Sequence, residues 1–155
     1  MAHESPRTKI GSKLKIASWN INGLDAKWKD YIGQLGYDIL VVPETHHADE
    51  MDGNTGSWIW SKPAISEYRF SGVGIYVGNS KLWVNRTNWG SWGSRIVYCE
   101  FEAHPTNLVI IGVYIPNRHR MEPSQQLVHS QLRRILSSVK CNSHIIILGD
   151  FNSKL

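Results

Sequence analysis

The chain reads as an α+β protein whose mixed sheets pack as a sandwich. Three observations predict this. A strand–helix–strand pattern opens the chain and another closes it. Between them lie short β-rich runs separated by turn residues, the pattern of antiparallel sheet. The apolar strands end in polar side chains suited to a site at a sheet rim.

Residues 1–13 are polar and basic and are expected to form a disordered leader, with the folded domain over 14–155. Leu14 to Ser18 alternates as a first strand and ends at Trp19-Asn20-Ile21-Asn22-Gly23. Asp25 is placed to cap a helix reaching about Leu35. Its apolar positions Trp28, Tyr31, Ile32 and Leu35 form one stripe, and Gly36 ends it. Asp38 to Val42 is an apolar strand closed by Pro43-Glu44-Thr45-His46-His47. A right-handed crossover makes these two strands parallel, so Asn20 and Glu44 lie at neighbouring carboxyl ends.

Ser57 to Trp60, Gly72 to Val77 and Leu82 to Val84 read as further strands, the glycines of the second implying close backbone packing. Arg95 to Glu102 alternates, with Ile96 and Tyr98 on one face and Val97, Cys99 and Phe101 on the other. Pro105-Thr106-Asn107 is a turn. Leu108 to Ile115 is an apolar strand with Tyr114 near its end, followed by Pro116-Asn117. Pro123 and Ser124 open a second helix, Ser124 its expected cap, with Leu127, Val128, Leu132, Ile135, Leu136 and Val139 as its buried stripe. The final strand runs from His144 to Leu148. The chain then turns at Gly149 and presents Asp150 and Asn152 to one side, with Phe151 turned the other way into the core.

Length and composition bound the answer. At 155 residues a single domain is expected. A net charge of +4 is compatible with a nucleic-acid partner without demanding one. Cys99 and Cys141 make no zinc or redox spacing, so free thiols are expected. No apolar run is long enough for a membrane-spanning helix, and there is no secretory signal. A nuclear or cytoplasmic place follows by elimination, and the sequon Asn85-Arg86-Thr87 carries no weight. Adjacent side chains diverge, which favours a solvated loop over a metal pair for His46 and His47. Packing is preferred over a base-stacking role for Trp83, Trp89 and Trp92. Arg118-His119-Arg120 reads as loop, with contact to a DNA backbone as the alternative.

Asn20 with Asn22, Glu44, and Asp150 with Asn152 terminate three separate apolar strands. A hard cation such as Mg²⁺ takes oxygen ligands, usually one or two carboxylates with water and substrate phosphate. Phosphodiester hydrolysis also needs a group to orient water and donors for the non-bridging oxygens. Asp150 suits the first task, and Asn117, Asn152 and the Tyr114 hydroxyl suit the second.

Five segments in order make a resemblance: Trp19-Asn20-Ile21-Asn22-Gly23-Leu24, Pro43-Glu44-Thr45-His46, Gly72-Val73-Gly74-Ile75, Val113-Tyr114-Ile115-Pro116-Asn117 and Gly149-Asp150-Phe151-Asn152. Over residues 14–153 the chain resembles the endonuclease/exonuclease/phosphatase superfamily, most of all the apurinic-endonuclease-like domain of non-LTR retrotransposons. The resemblance implies a four-layer α/β/β/α sandwich of the deoxyribonuclease-like type and Mg²⁺-dependent phosphodiester hydrolysis, with Mn²⁺ as the alternative ion. It implies that Glu44 binds the metal and that Asn20 holds the metal site. Tyr114 and Asn117 would contact the scissile phosphate, Asp150 would align or deprotonate the water, and Asn152 would bond the phosphate as charge builds. Asn22 stands where some relatives carry an acid. The implied partners are DNA and, in a longer protein, a downstream reverse transcriptase.

No Ser-Asp-His segment, with which the family completes its site, occurs in the sequence. The chain is therefore expected to be the amino-terminal part of such a domain, lacking its C-terminal half and inactive or weak as a fragment, with one inner sheet face bare. The alternatives are a phosphatase or phosphodiesterase acting on a small substrate, and a non-catalytic fragment that binds nucleic acid or a protein partner.

Overall fold

Two four-stranded sheets carry the chain. The computed structural model describes residues 13–46, 57–62, 71–116 and 122–152. In the first sheet, β1 (Ile16–Ser18), β2 (Ile39–Pro43), β4 (Val73–Val77) and β3 (Trp58–Trp60) lie in the order β1-β2-β4-β3. In the second, β5 (Arg86–Trp92), β6 (Ile96–Phe101), β7 (Asn107–Tyr114) and β8 (Ser143–Asp150) lie in sequence order. The two strand–helix–strand units are as expected: β1 pairs parallel to β2, and β7 parallel to β8. The pairs β2–β4, β3–β4, β5–β6 and β6–β7 are antiparallel.

Helix α1 (Ala26–Gln34) has only nine residues, too short to be stable alone. Its cap and its buried face hold it. The Asp25 carboxylate accepts from the Trp28 N–H at 2.9 Å, and Ile32 is fully buried against Leu40, Val42 and Trp58 on the outer face of the first sheet. Helix α3 (Glu122–Ser138) covers the outer face of the second sheet, where Val128 and Ile135 meet Ile96, Val109, Ile111 and Val113. It starts before Ser124, so that residue lies inside the first turn and not at the cap. Between the sheets, Ile39, Val41, Ile75 and Val77 pack on Val97, Cys99, Phe101 and Ile110. The layers therefore run helix, sheet, sheet, helix. Among the described residues no helix is long and apolar enough to cross a membrane.

Further expectations are corrected. The inner face of the first sheet is not bare, because β5–β8 supply the sheet that packs on it. Leu127 and Leu136, expected in the buried stripe of α3, are exposed. Leu82-Trp83-Val84 is not a strand but most of α2 (Ser80–Val84). The Asn79 carbonyl oxygen of the side chain accepts from the Lys81 and Leu82 N–H groups at 3.0 and 3.3 Å, and Leu82 drops into the inner core. The cap decides the local structure over the β-favouring valine. Next, β5 carries a strand where none was expected. Its edge packs Arg86 over Trp83 and Trp89, the guanidinium carbon 3.3 and 4.7 Å from the ring centroids. These tryptophans are thus engaged in packing, as preferred, and Trp92 packs beside the Ile96 cluster. Lastly, the final strand does not turn at Gly149 but continues through Asp150, and Phe151 is 41% exposed instead of buried.

Gly149 explains how the strand continues. It has φ +147, and a Cβ there would fall on the Val113 carbonyl oxygen of the paired strand. Only glycine allows this approach. Gly149→Ala is expected to destabilise the protein by about 3 kcal/mol, from strain and overpacking together. A lowered urea midpoint at unchanged slope checks this; an unchanged midpoint would contradict it.

Candidate functional site

Strand alternation delivers the site residues to the gap between the sheets. On β7, Leu108 and Ile110 point into the inner core, and the same parity carries on to Tyr114. On β8 the inward positions are Ile146 and Leu148, followed by Asp150, which pairs in register with Tyr114. Facing them, at the carboxyl ends of β1 and β2, stand Asn20 and Glu44.

Backbone bonds beyond the strands fix these loops. The Gly23 and Leu24 N–H groups donate to the Glu44 and Thr45 carbonyls at 2.8 and 2.9 Å. The Thr45 and His46 N–H groups donate to Gly72 and Ser71 at 3.1 Å each, and Gly72 donates to Ser94 at 3.0 Å. Asn22 and Glu44 take left-handed backbone, φ +49 and +54. Such strain in non-glycine residues persists only where the surroundings enforce it, and it concentrates at functional sites.

Asn20 has both ends of its amide assigned. Its oxygen accepts from the Asn22 N–H at 2.9 Å, and its Nδ2 donates to Asp150 Oδ2 at 3.0 Å. The other Asp150 oxygen accepts from the Asn152 N–H at 3.0 Å. Asn152 Nδ2 in turn donates to the Ile115 carbonyl at 2.8 Å, and the Ile115 N–H donates to the Asp150 carbonyl at 2.8 Å. One of the two Asn152 amide hydrogens is thus held by backbone, leaving the other for an incoming acceptor.

Tyr114 is buried and donates its hydroxyl proton to the Glu44 carboxylate. Burial first, then the bond to Glu44 and the charges of Glu44 and Asp150, push the Tyr114 hydroxyl far above the usual tyrosine range; Arg95 opposes this. The Arg95 guanidinium lies over the Tyr114 ring, 5.3 Å from its centroid. The phenol is therefore a donor at every physiological pH.

The structure brings together Asn20, Glu44, Tyr114, Asp150 and Asn152. Asn117 lies outside the described residues, as do His47 and the Arg118-His119-Arg120 segment. Two neighbours had no role in the sequence reading. His46, expected in a solvated loop, is half-buried with Nε2 3.9 Å from Glu44 Oε2. Arg95, only 7% exposed, underlies Tyr114. Its one sequence signal is a charge at the head of an apolar strand, which β1 and β2 also show at Lys15 and Asp38.

Among the described residues no three His, Cys, Asp or Glu side chains cluster as a metal cage. The donor set does fit a hard, largely hydrated divalent ion. Glu44 is a carboxylate at the rim, 16% exposed and held by a neutral phenol, and such an ion needs only one or two carboxylates.

Comparison with known proteins bears on the family and the fold. The model of the Endonuclease/Exonuclease/phosphatase family matches residues 17–155. Craniofacial development protein 2 of Bos taurus is 23% identical over 148 residues, covering 90% of this chain and 24% of its own length. The solved structure of truncated Caenorhabditis elegans TDP2 superposes with a TM-score of 0.59 at 15% identity, over 91% of this chain and 63% of that one. An endonuclease/exonuclease/phosphatase family protein from Leptotrichia buccalis gives a TM-score of 0.58 at 14% identity, over 91% and 67%. The chain thus spans about a quarter of the bovine relative and under two thirds of the nematode structure.

The Tyr114–Glu44 bond has a signature in alkaline solution. Above about pH 10 the unfolded chain ionises this tyrosine while the folded chain keeps its proton. Stability then falls as pH rises, by up to about 1.4 kcal/mol per pH unit from this group. Tyr114→Phe is expected to remove that part of the fall, and to lose about 1.5–3 kcal/mol near neutrality because the charged Glu44 loses a donor. Urea unfolding of both proteins across the alkaline range checks the difference; parallel curves would refute it.

Proposed function

The chain belongs to the Endonuclease/Exonuclease/phosphatase family, and from this we propose that it carries the site of a divalent-metal-dependent phosphodiesterase that cuts DNA. The observation that supports this reading best is the bond from Asn20 Nδ2 to Asp150 Oδ2. It brings a carboxylate from one sheet to the rim where the other sheet offers Glu44.

Glu44 would hold the metal, and Mg²⁺, with Mn²⁺ as substitute, would neutralise charge on the phosphate oxygens. Asn20 fixes the Asp150 carboxylate so that it faces an attacking water. Asp150 takes one proton as the water oxygen bonds to phosphorus. The bond from phosphorus to the leaving sugar oxygen breaks, and that oxygen takes a proton from solvent. Asn152, through its remaining amide hydrogen, donates to a phosphate oxygen, with Asn117 assigned the same task. Tyr114 positions Glu44 through its hydroxyl and keeps that carboxylate turned to the rim.

Within this family, the retrotransposon-type endonuclease is the finer reading. It rests on the Glu44-Thr45-His46, Tyr114-Ile115-Pro116-Asn117 and Gly149-Asp150-Phe151-Asn152 segments. A reverse transcriptase partner belongs to that reading alone.

Two measurements test the assignment. Asp150→Asn is expected to lower Mg²⁺-dependent nicking of supercoiled plasmid by about 10²–10⁴-fold, the usual contribution of a positioned base, and chelation to abolish it. Glu44→Gln is expected to remove the Mn²⁺ bound at equilibrium, a readout independent of turnover. Nicking that survives both Asp150→Asn and chelation would overturn the proposal, as would full Mn²⁺ binding by Glu44→Gln.

A further inference from the structure

Beside the phosphate site lies a feature it does not use. Trp19, Trp28 and Tyr31, with Asp25 and Lys27, line an open hollow of about 490 Å³. Trp19 is 37% exposed and Tyr31 48%. Large aromatic rings left this open, in contact with one another, mark a binding surface more than a core.

We propose that this face is a stacking platform for an unpaired nucleobase of the strand whose phosphate the neighbouring site binds. The proposal rests on the nucleic-acid reading above and extends it to a second contact on the same substrate.

Ring geometry selects the ligand. The three rings meet edge to face, with centroids 5.2, 5.9 and 6.4 Å apart and interplanar angles of 90°, 74° and 68°. A cage for a quaternary ammonium needs ring faces spaced around the cation. Rings in mutual contact leave no such space, and the opposite charges of Asp25 and Lys27 offset each other in the lining. What fits is a flat, neutral aromatic group tied to an anion, resting on the exposed ring surface with its charge toward Lys27. A nucleotide has that form.

Position selects the substrate. Trp19 directly precedes Asn20, whose amide holds Asp150. Helix α1 begins at the carboxyl end of β1, so Trp28 and Tyr31 in its first two turns lie at the same rim. A strand with one phosphate at Glu44 and Asp150 would bring a flanking base to this face. Bases stacked within a duplex hide their faces, so the platform takes a single-stranded or unpaired nucleotide.

The test uses the whole chain without divalent metal, so that nothing is cut. Fluorescence anisotropy compares labelled oligo(dT), an abasic oligomer of equal length and a blunt duplex. Wild type is expected to prefer oligo(dT). Tyr31→Ala is expected to weaken that binding about 5- to 100-fold, the range for losing one stacked base, and Tyr31→Phe to preserve it. A photoreactive 5-iododeoxyuridine in the oligomer is expected to crosslink to Trp19, Trp28 or Tyr31. Equal affinity of Tyr31→Ala and wild type for oligo(dT) would overturn the platform and leave the phosphate site standing. So would equal affinity of wild type for oligo(dT) and the abasic oligomer. Self-association abolished by Tyr31→Ala would overturn it too, identifying the face as a contact between copies. Failure of wild type to bind any of the three nucleic acids, both without metal and with Mg²⁺ added, would overturn the DNA reading along with the platform.

Discussion

Ile39, Val41, Ile75 and Val77 of one sheet meet Val97, Cys99, Phe101 and Ile110 of the other, and the geometry of the rim follows from that contact. Each large apolar side chain buried there contributes about 1.5–3 kcal/mol. A hydrogen bond to a charged group contributes about the same as one such residue. The inner layer, not the polar rim, therefore sets the distance between the sheets. Gly112 lets them close: a Cβ there would come within 2.9–3.1 Å of Val41, Val97 and Val73, so a larger residue would wedge the layers apart.

Given that spacing, the polar residues have little freedom. Asn20 reaches from one sheet to Asp150 on the other, and Tyr114 reaches Glu44 in the reverse direction. Two side-chain bonds of opposite sense thus cross the same gap. Each fixes a carboxylate without neutralising it by an ion pair, so the negative charge stays available to a cation or to a proton. The site is built from neutral donors, asparagine amides and a phenol, and from backbone N–H groups.

Much of this was legible in the sequence because period and position carried it. The face assignment of Ile96, Val97, Tyr98, Cys99 and Phe101 holds residue by residue, since a half-buried strand flanked by two apolar layers must alternate. Asp25 caps α1 where expected. The segment at Leu82 misled because three apolar residues fit a strand or a helical turn equally well, and the deciding bond comes from Asn79 outside the run. Strand β5 has no alternating pattern, being an edge held by ladder pairing to β6. Phe151 faces solvent where the chain leaves β8, next to Asn152 with its left-handed backbone at φ +41. The cluster of Asn20, Glu44 and Asp150 could be inferred from strand ends, whereas Arg95 under Tyr114 could not, because nothing local marks a buried cation.

The bond between Asn20 and Asp150 spans 130 residues of chain. Helices and hairpins can form as each segment becomes available, but this contact cannot. Closing so long a loop costs entropy before any contact compensates for it, and folds rich in distant pairings form slowly. During synthesis the carboxyl-terminal strand is the last described element to leave the ribosome, so the first loop waits, with its asparagine unmatched, until translation is nearly past residue 150. The rim that carries the proposed site is thereby tied to the arrival of β8, and a nascent chain holds no assembled rim until that strand has emerged.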